Sequence, residues 1–414
     1  MLRVLLLSDL HAISGDPDTV TSPSHLSARP TYDSATLNPL RAIPDMLRKE
    51  SLCVDWVLCP GDLGDRADPV AQRFAWESLE RLRAEVGATR LVGTAGNHDV
   101  DSRLKYDDYD PKGNLQSLKP PFPGLDEISV DRYWSRNFAI LNDGDVRLVI
   151  LNSAAFHGVY SDDASVKRPA EYLHGRVSDR TIDAIEASLD GSDAKLNILM
   201  THHHIIANEE FYRTAGNDVM RGGQLLLKRL YEKTGHRWVV IHGHQHFPDV
   251  RYGGTGSPPP VIFSAGSVSA KLSPDIFYRA TNQFYYLEFP IHRYETLGWE
   301  GCATVRSWHW IKGTGWLPTP LDFKAGIPSG SGFGCIVSPR DIARQMASAF
   351  RSSGQSTLRY AEMCGFVPVL EFMLSADLQA TFAACLKEFG IRHFVDPSDP
   401  QGSRTFIQGA PDGA

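Results

Sequence analysis

The sequence predicts a layered α/β fold, and three observations carry that prediction. Short apolar runs recur over roughly residues 1–290, each ending in polar residues. Amphipathic stretches of helical period separate the earlier runs. The later runs crowd together, which marks a more β-rich second half. A chain of 414 residues, 42% hydrophobic and 22% charged, can bury a sizeable core.

Arg3–Leu7 reads as the first buried strand. Its apolar stretch is too short for a signal peptide, and Asp9 and His11 interrupt it at once. Leu40–Lys49 follows as a helix, then Trp56–Cys59 as a strand. Pro69–Val86 reads as a helix with Pro69 near its start and Gly87 just past its end. Arg90–Ala95 and Val146–Asn152 are the next strands, and Ser178 caps a helix over Ser178–Leu189. Leu196–Thr201, the helix Met220–Lys233, Trp238–His242 and Val261–Ala265 continue the alternation. Gln283–Phe289 and Thr304–Trp310 are the closely spaced later strands.

Residues 1–312 are expected to form one domain, with long irregular insertions at about 12–39 and 101–131 that emerge at the rim of the candidate site. Residues 313–334, rich in Gly, Pro and Ser, read as a linker. Residues 335–414 read as a small, mostly helical appendage, with helices over Ser338–Ser352 and Ala376–Phe389. That appendage is a candidate docking element for a protein partner.

The net charge of −7 argues against tight nonspecific binding of long duplex nucleic acid. No run approaches the ~20 apolar residues of a membrane span. The six cysteines are scattered without a CxxC pair, so reduced, mostly buried thiols and a cytoplasmic location are expected. The aromatic run Trp299, Trp308, Trp310 and Trp316 fits core packing better than a base-stacking platform. His25, His157, His174, His236, His292, His309 and His393 match no motif and read as surface or core residues, although His157 and His174 could reach the pocket.

Five short blocks carry the chemistry, each capping a strand-like run. They are Asp9-Leu10-His11, Gly61-Asp62-Leu63-Gly64-Asp65-Arg66, Gly96-Asn97-His98-Asp99, Thr201-His202-His203-His204 and His242-Gly243-His244-Gln245-His246. Strand C-termini in α/β sheets open onto a shared crevice. The mixed nitrogen and oxygen donors of His, Asp and Asn suit Zn, Mn, Fe or similar ions. Each block alone is weak; five in one order are hard to produce by accident.

The ordered set resembles the calcineurin-like metallophosphoesterases, whose pattern runs DxH, GDxxDR, GNH[DE], H and GHxH. The resemblance covers roughly residues 1–290. It implies a four-layer β-sandwich flanked by α-helices, and hydrolysis of phosphate esters at two divalent or trivalent transition-metal ions (Mn, Fe or Zn). Carried over residue by residue, Asp9, His11, Asp62 and His246 would hold one ion, with Asp62 bridging. Asn97, His202 and His244 would hold the second, and Asn97 would also contact substrate together with His98 and Arg66. His98 would protonate the leaving group or stabilise phosphoryl oxygens, Asp65 would orient it, and Arg66 would contact phosphate. The fourth block departs from the pattern, because three histidines run together and no proline follows. Alignment at the strand end favours His202 as the ligand, with His203 or His204 as alternatives. His242 reads as a residue behind the ligands.

The expected activity is that of a phosphodiesterase on a nucleotide or other small phosphodiester. Phosphomonoesterase activity and a nuclease of the double-strand-break repair type are the alternatives. A metal-binding scaffold without turnover, or an effector tethered through residues 335–414, is the contrasting reading.

Overall fold

The computed structural model describes residues 1–158, 171–189, 194–207, 219–254, 256–272, 276, 278–395 and 404–409. The Pro397–Gly402 stretch and the Gly- and Pro-rich end after Gly409 lie outside them.

Two main sheets form the body. The first holds β1 (Leu2–Leu6), β2 (Trp56–Cys59), β3 (Arg90–Gly93), β10 (Gln283–Phe289), β11 (Ala303–Ile311), β12 (Gly315–Pro318) and β13 (Ser331–Phe333). Its order is β12-β11-β10-β1-β2-β3, with β13 also on β11. The second holds β4 (Phe138–Asp143), β5 (Val146–Leu151), β6 (Leu196–Met200), β7 (Trp238–His242), β8 (Asp249–Tyr252) and β9 (Val261–Ser264), in the order β4-β5-β6-β7-β9-β8. Pairing is parallel along β1-β2-β3 and along β5-β6-β7-β9, so within each sheet these strands end at one edge.

Side-chain alternation explains the layering. Leu148, Ile150, Ile198, Met200, Val239 and Ile241 share one apolar cluster with Val4, Leu6 and Val57 of the first sheet. Their neighbours Val149, Leu151, Leu199 and Val240 turn the other way, onto Ile182, Ile185, Leu226 and Leu230. Those residues come from helices Asp179–Ser188 and Gly223–Thr234. Helix Pro69–Glu85 covers the first sheet, burying Ala75, Trp76 and Leu79. Asp68 caps it by accepting the Val70 and Ala71 N–H groups at 3.0 and 3.2 Å. The result is the helix-flanked sandwich expected from the motifs.

Several sequence expectations are revised. Residues 313–334 are not a free linker: β12 and β13 pair with β11. The reason is an aromatic anchor hidden among the glycines. Trp316 packs on Phe284 and Trp310, and its indole N–H donates to the Pro39 carbonyl at 2.6 Å. Part of insertion 101–131 is structural, because Leu115, Leu118 and Phe122 are buried in the main cluster. Strands β4, β8, β14 (Thr357–Arg359) and β15 (Ile391–Val395) escaped the sequence reading, because none of them is a continuous buried run.

Helices Pro339–Ser353 and Ser375–Phe389 form as expected, but the C-terminal segment also carries a small sheet ordered β14-β16-β15, with β16 spanning Arg404–Gln408. Five of the six cysteines are buried and all are free thiols. Trp308, Trp310 and Trp316 are buried, as core packing requires. Among the described residues, no helix is long and apolar enough to cross a membrane.

Candidate metal centre

The five motif blocks follow β1, β2, β3, β6 and β7 directly. Backbone bonds lace these strand-end turns together. The Asp9 and His11 N–H groups donate to the Gly61 and Asp62 carbonyls at 3.1 and 3.0 Å, and the Gly243 N–H donates to the His202 carbonyl at 3.1 Å. The turns are strained in a common way. Asp9, His11, Asp62, His244 and His246 all sit at positive φ, between 45° and 77°. Non-glycine residues rarely adopt that region, and such strain concentrates at functional sites.

Three groups of donors result among the described residues; two carry the candidate ligands, one formed by Asp9, His11, Asp62 and His246, the other by His202, His203 and His244, while the third joins His11 to Asp65 and His98. Asp62 joins the first two. Its Oδ2 lies 3.3 Å from His11 Nε2 and 3.4 Å from His202 Nε2. Its Oδ1 accepts the His98 backbone N–H at 2.8 Å. In the first group, His11 Nε2 and His246 Nε2 face each other at 2.9 Å, with Asp9 Oδ1 3.4 Å from His246 Nε2.

In the second group, Asn97 Oδ1 lies 2.9 Å from both His202 Nε2 and His244 Nδ1. The far nitrogens of these rings are spoken for. His202 Nδ1 is 2.8 Å from the Pro60 carbonyl, and His244 Nε2 is 2.8 Å from the Leu173 carbonyl. A neutral imidazole carries one N–H, and here a carbonyl oxygen draws it to the outer side of each ring. With both rings neutral, the two inner nitrogens and the Asn97 oxygen would present three lone pairs to one another, an arrangement that calls for a cation, either a proton on His202 or a metal ion.

The electrostatics agree. Burial opposes charge on His11 and His202, yet the Asp62 carboxylate overrides it, raising their pKa values to about 10 and about 9. Burial would also raise Asp9, but the His246 ring beside it brings it down to about 2. The carboxylates are ionised and demand positive charge, which the proton supplies in the free protein and metal ions would supply in its place. The donor set therefore fits two ions: Asp9, His11, Asp62 and His246 would hold one, and Asn97, His202 and His244 the other, with Asp62 between them.

His98 and its partners stand beside this cluster. His98 Nδ1 is 2.9 Å from Asp65 Oδ1, and the His98 and His11 rings meet edge to face at 4.6 Å. Burial would lift the Asp65 pKa, but contacts with His11 and His98 hold it far below the carboxylate range. Arg66 projects outward, its side chain 68% exposed and 3.7 Å from Asp65. His242 is buried beneath the site with Nδ1 3.0 Å from the Gly243 carbonyl, and it joins neither donor group.

Two features escaped the sequence reading. Asp99 belongs to the third block but received no role. The Pro60 and Leu173 carbonyls, which orient two rings, leave no trace in residue identity. His157 and His174 are both buried near the site, and the His157 ring touches that of His203 at 5.4 Å.

Fold and donor set together define the class, an α/β sandwich whose strand ends form a site suited to two metal ions. The sequence model of the calcineurin-like phosphoesterases matches residues 2–248, and the chain belongs to that family. A comparison with curated proteins gives no match. Solved structures of distant likeness include a purple acid phosphatase from yellow lupin (Lupinus luteus) seeds, at 14% identity and TM-score 0.43, covering 76% of this chain and 52% of that one. The sulfate thiohydrolase SoxB of Thermus thermophilus is 12% identical at TM-score 0.34, covering 70% of this chain and 53% of its own. A 5'-nucleotidase precursor, also from Thermus thermophilus, is 11% identical at TM-score 0.35, covering 100% of this chain and 86% of that one. The chain thus spans about half the length of the first two, and likeness at this level carries no argument about activity.

Proposed function

We propose that this chain is a metal-dependent phosphodiesterase acting on a nucleotide or other small phosphodiester. The observation that carries the reading is the single Asp62 oxygen placed within 3.4 Å of a histidine from each donor group. Two bound ions would supply Lewis-acid activation of water and neutralise charge at the phosphoryl group. The identity of the ions is part of the proposal, with Mn, Fe and Zn as candidates for a nitrogen and oxygen donor set.

The chain's own residues do the rest. His98 is held at Nδ1 by Asp65, so Nε2 is the nitrogen available to give a proton to the departing alkoxide. Arg66 offers a guanidinium at the rim beside it, suited to a phosphate oxygen. The preference for a small diester over long nucleic acid rests on the net charge of −7 and on the long segments that follow the first and third blocks. A cytoplasmic location belongs to the same proposal and is supported by the free, mostly buried thiols.

The test is hydrolysis of bis-p-nitrophenyl phosphate against p-nitrophenyl phosphate, using metal-stripped protein and protein given back Mn, Zn, Ni or Fe. Metal-dependent cleavage of the diester, faster than the monoester and lost in Asp62→Asn, is the expected result. Preferential monoester cleavage would replace the diesterase reading. Tight metal binding with no turnover of either substrate would point to a scaffold.

A further inference from the structure

The second donor group contains a histidine that the family pattern does not use. His203 is fully buried, and no described residue makes a hydrogen bond to its Nε2. A buried polar atom of this kind in a native fold points to an ion or water that fills the gap. One ring nitrogen from each of His202, His203 and His244 lies within 4.8 Å of the others. The rings crowd together, with centroids 5.0 Å apart for His202 and His203 and 4.5 Å for His203 and His244.

The surroundings of His203 are built to hold its ring in this place. Ser153 Oγ lies 2.7 Å from Nδ1 and also accepts the His203 backbone N–H at 3.3 Å. An Nδ1–H donated to that hydroxyl leaves the lone pair on Nε2. Gly175 makes the room: it sits at φ +59°, and a Cβ there would stand 2.3 Å from His203 Nδ1. The ring is thus backed by a hydroxyl, seated against a glycine and flanked by two rings whose inner nitrogens face the Asn97 oxygen.

We infer that His203 is a further metal ligand, binding through Nε2 the ion that His202, His244 and Asn97 would hold. The inference rests on the two-metal reading of the site and deepens it. No covalent bond to carbon or phosphorus changes; a neutral imidazole lends one lone pair. Three imidazoles make that position richer in nitrogen than its neighbour, where His11 and His246 share the ion with the Asp9 and Asp62 carboxylates. Late first-row ions such as zinc favour nitrogen donors of this kind, whereas manganese favours oxygen. The position is therefore selective for zinc over manganese.

The experiment is a zinc titration of the full, metal-stripped chain with 15N-labelled histidine, followed by long-range 1H–15N spectra. The expected result is that His203 Nε2 moves to a metal-bound shift in the same equivalent as His202 Nε2 and His244 Nδ1. If those two move while His203 Nε2 stays, the inference is overturned and the two-metal reading stands. If no histidine moves, the two-metal reading itself fails, and the inference goes with it. His203→Ala should weaken one of two zinc sites by about 100-fold or more, beyond the effect typical of a residue that only orients a ligand. Both sites at wild-type affinity in that variant would overturn the inference. Should the variant not fold, the spectra of the unmodified chain decide alone.

Discussion

The Asp99 carboxylate accepts the backbone N–H of Asp62 at 2.8 Å, and the same side chain accepts those of Leu63, Gly64 and Gly96 at 2.8, 3.3 and 2.9 Å. Four donors converge on one buried side chain, which ties the turn after β2 to the turn after β3. Burial and the Asp62 charge push the Asp99 pKa up to about 6, while the backbone N–H donors favour its carboxylate form. Asp62 owes its position to a residue that touches no proposed ion.

Asp99→Asn keeps the shape but replaces one acceptor oxygen by an N–H₂ that faces backbone donors. Metal affinity should fall by about 10–100-fold, as when other outer-shell partners are lost. Calorimetric titration with zinc checks this. Unchanged affinity would mean that the turn holds Asp62 without Asp99.

Gly96 faces the Asp62 side chain so closely that a Cβ would stand 2.1 Å from Asp62 Oδ1. Gly96→Ala must therefore displace the carboxylate shared by both donor groups. Metal analysis after gel filtration should show fewer than two ions per chain in this variant. Full occupancy would show that the strand end yields instead.

Replacing His98 should leave the metal ligands in place and remove a proton donor. The loss then depends on the leaving group. For a diester with an alkyl leaving group, His98→Ala should cost about 10²–10⁴-fold in kcat. For p-nitrophenyl esters the loss should be smaller, because nitrophenolate departs without a proton. Equal losses on both substrates, at unchanged metal content, would assign His98 to charge stabilisation rather than proton transfer.

Stripping the metals should destabilise the fold. Ions that bind only the folded chain stabilise it by about 2.7 kcal/mol when present at 100 times Kd. The clustered Asp9, Asp62 and Asp99 carboxylates also lose the charge that offsets their repulsion. Thermal unfolding with and without chelator should show a clear drop in Tm that added zinc or manganese reverses.

Trp316 lies in the stretch whose composition suggests a linker, yet it is buried against Phe284 and Trp310. Trp316→Ala should cost about 3–5 kcal/mol in denaturant unfolding, the range for a buried Trp truncated to Ala. Ile342, Met346, Phe350 and Phe382 belong to the same apolar cluster as the strands. Truncation after residue 334 should therefore give aggregation. A soluble truncated chain with full turnover would instead favour a docking module at the C-terminus.

Much of this protein is determined locally. An apolar run of four or five residues followed by Asp-Leu-His or Gly-Asn-His announces both a buried strand and the polar turn that ends it, because strand hydrophobicity and turn chemistry are properties of neighbours in the chain. That is why β1, β2, β3, β6 and β7 and all five blocks were legible. The C-terminal strands β14 and β15 were not, since exposed residues carry little of the alternation that burial imposes. The role of Trp316 was hidden for a related reason: glycine and proline around it describe the turns, while its partners Phe284 and Pro39 are remote in sequence.

What only the tertiary structure decided is the orientation of side chains across distance. The Pro60 and Leu173 carbonyls choose which ring nitrogen of His202 and His244 faces inward. Asp99 sets the turn that carries Asp62, and Ser153 with Gly175 seats His203 in a run of three histidines that look alike in the sequence. Residue type supplies a donor, but its direction is set by contacts between segments far apart in sequence, 142 residues in the case of Pro60 and His202, and those exist only once the sheets have packed.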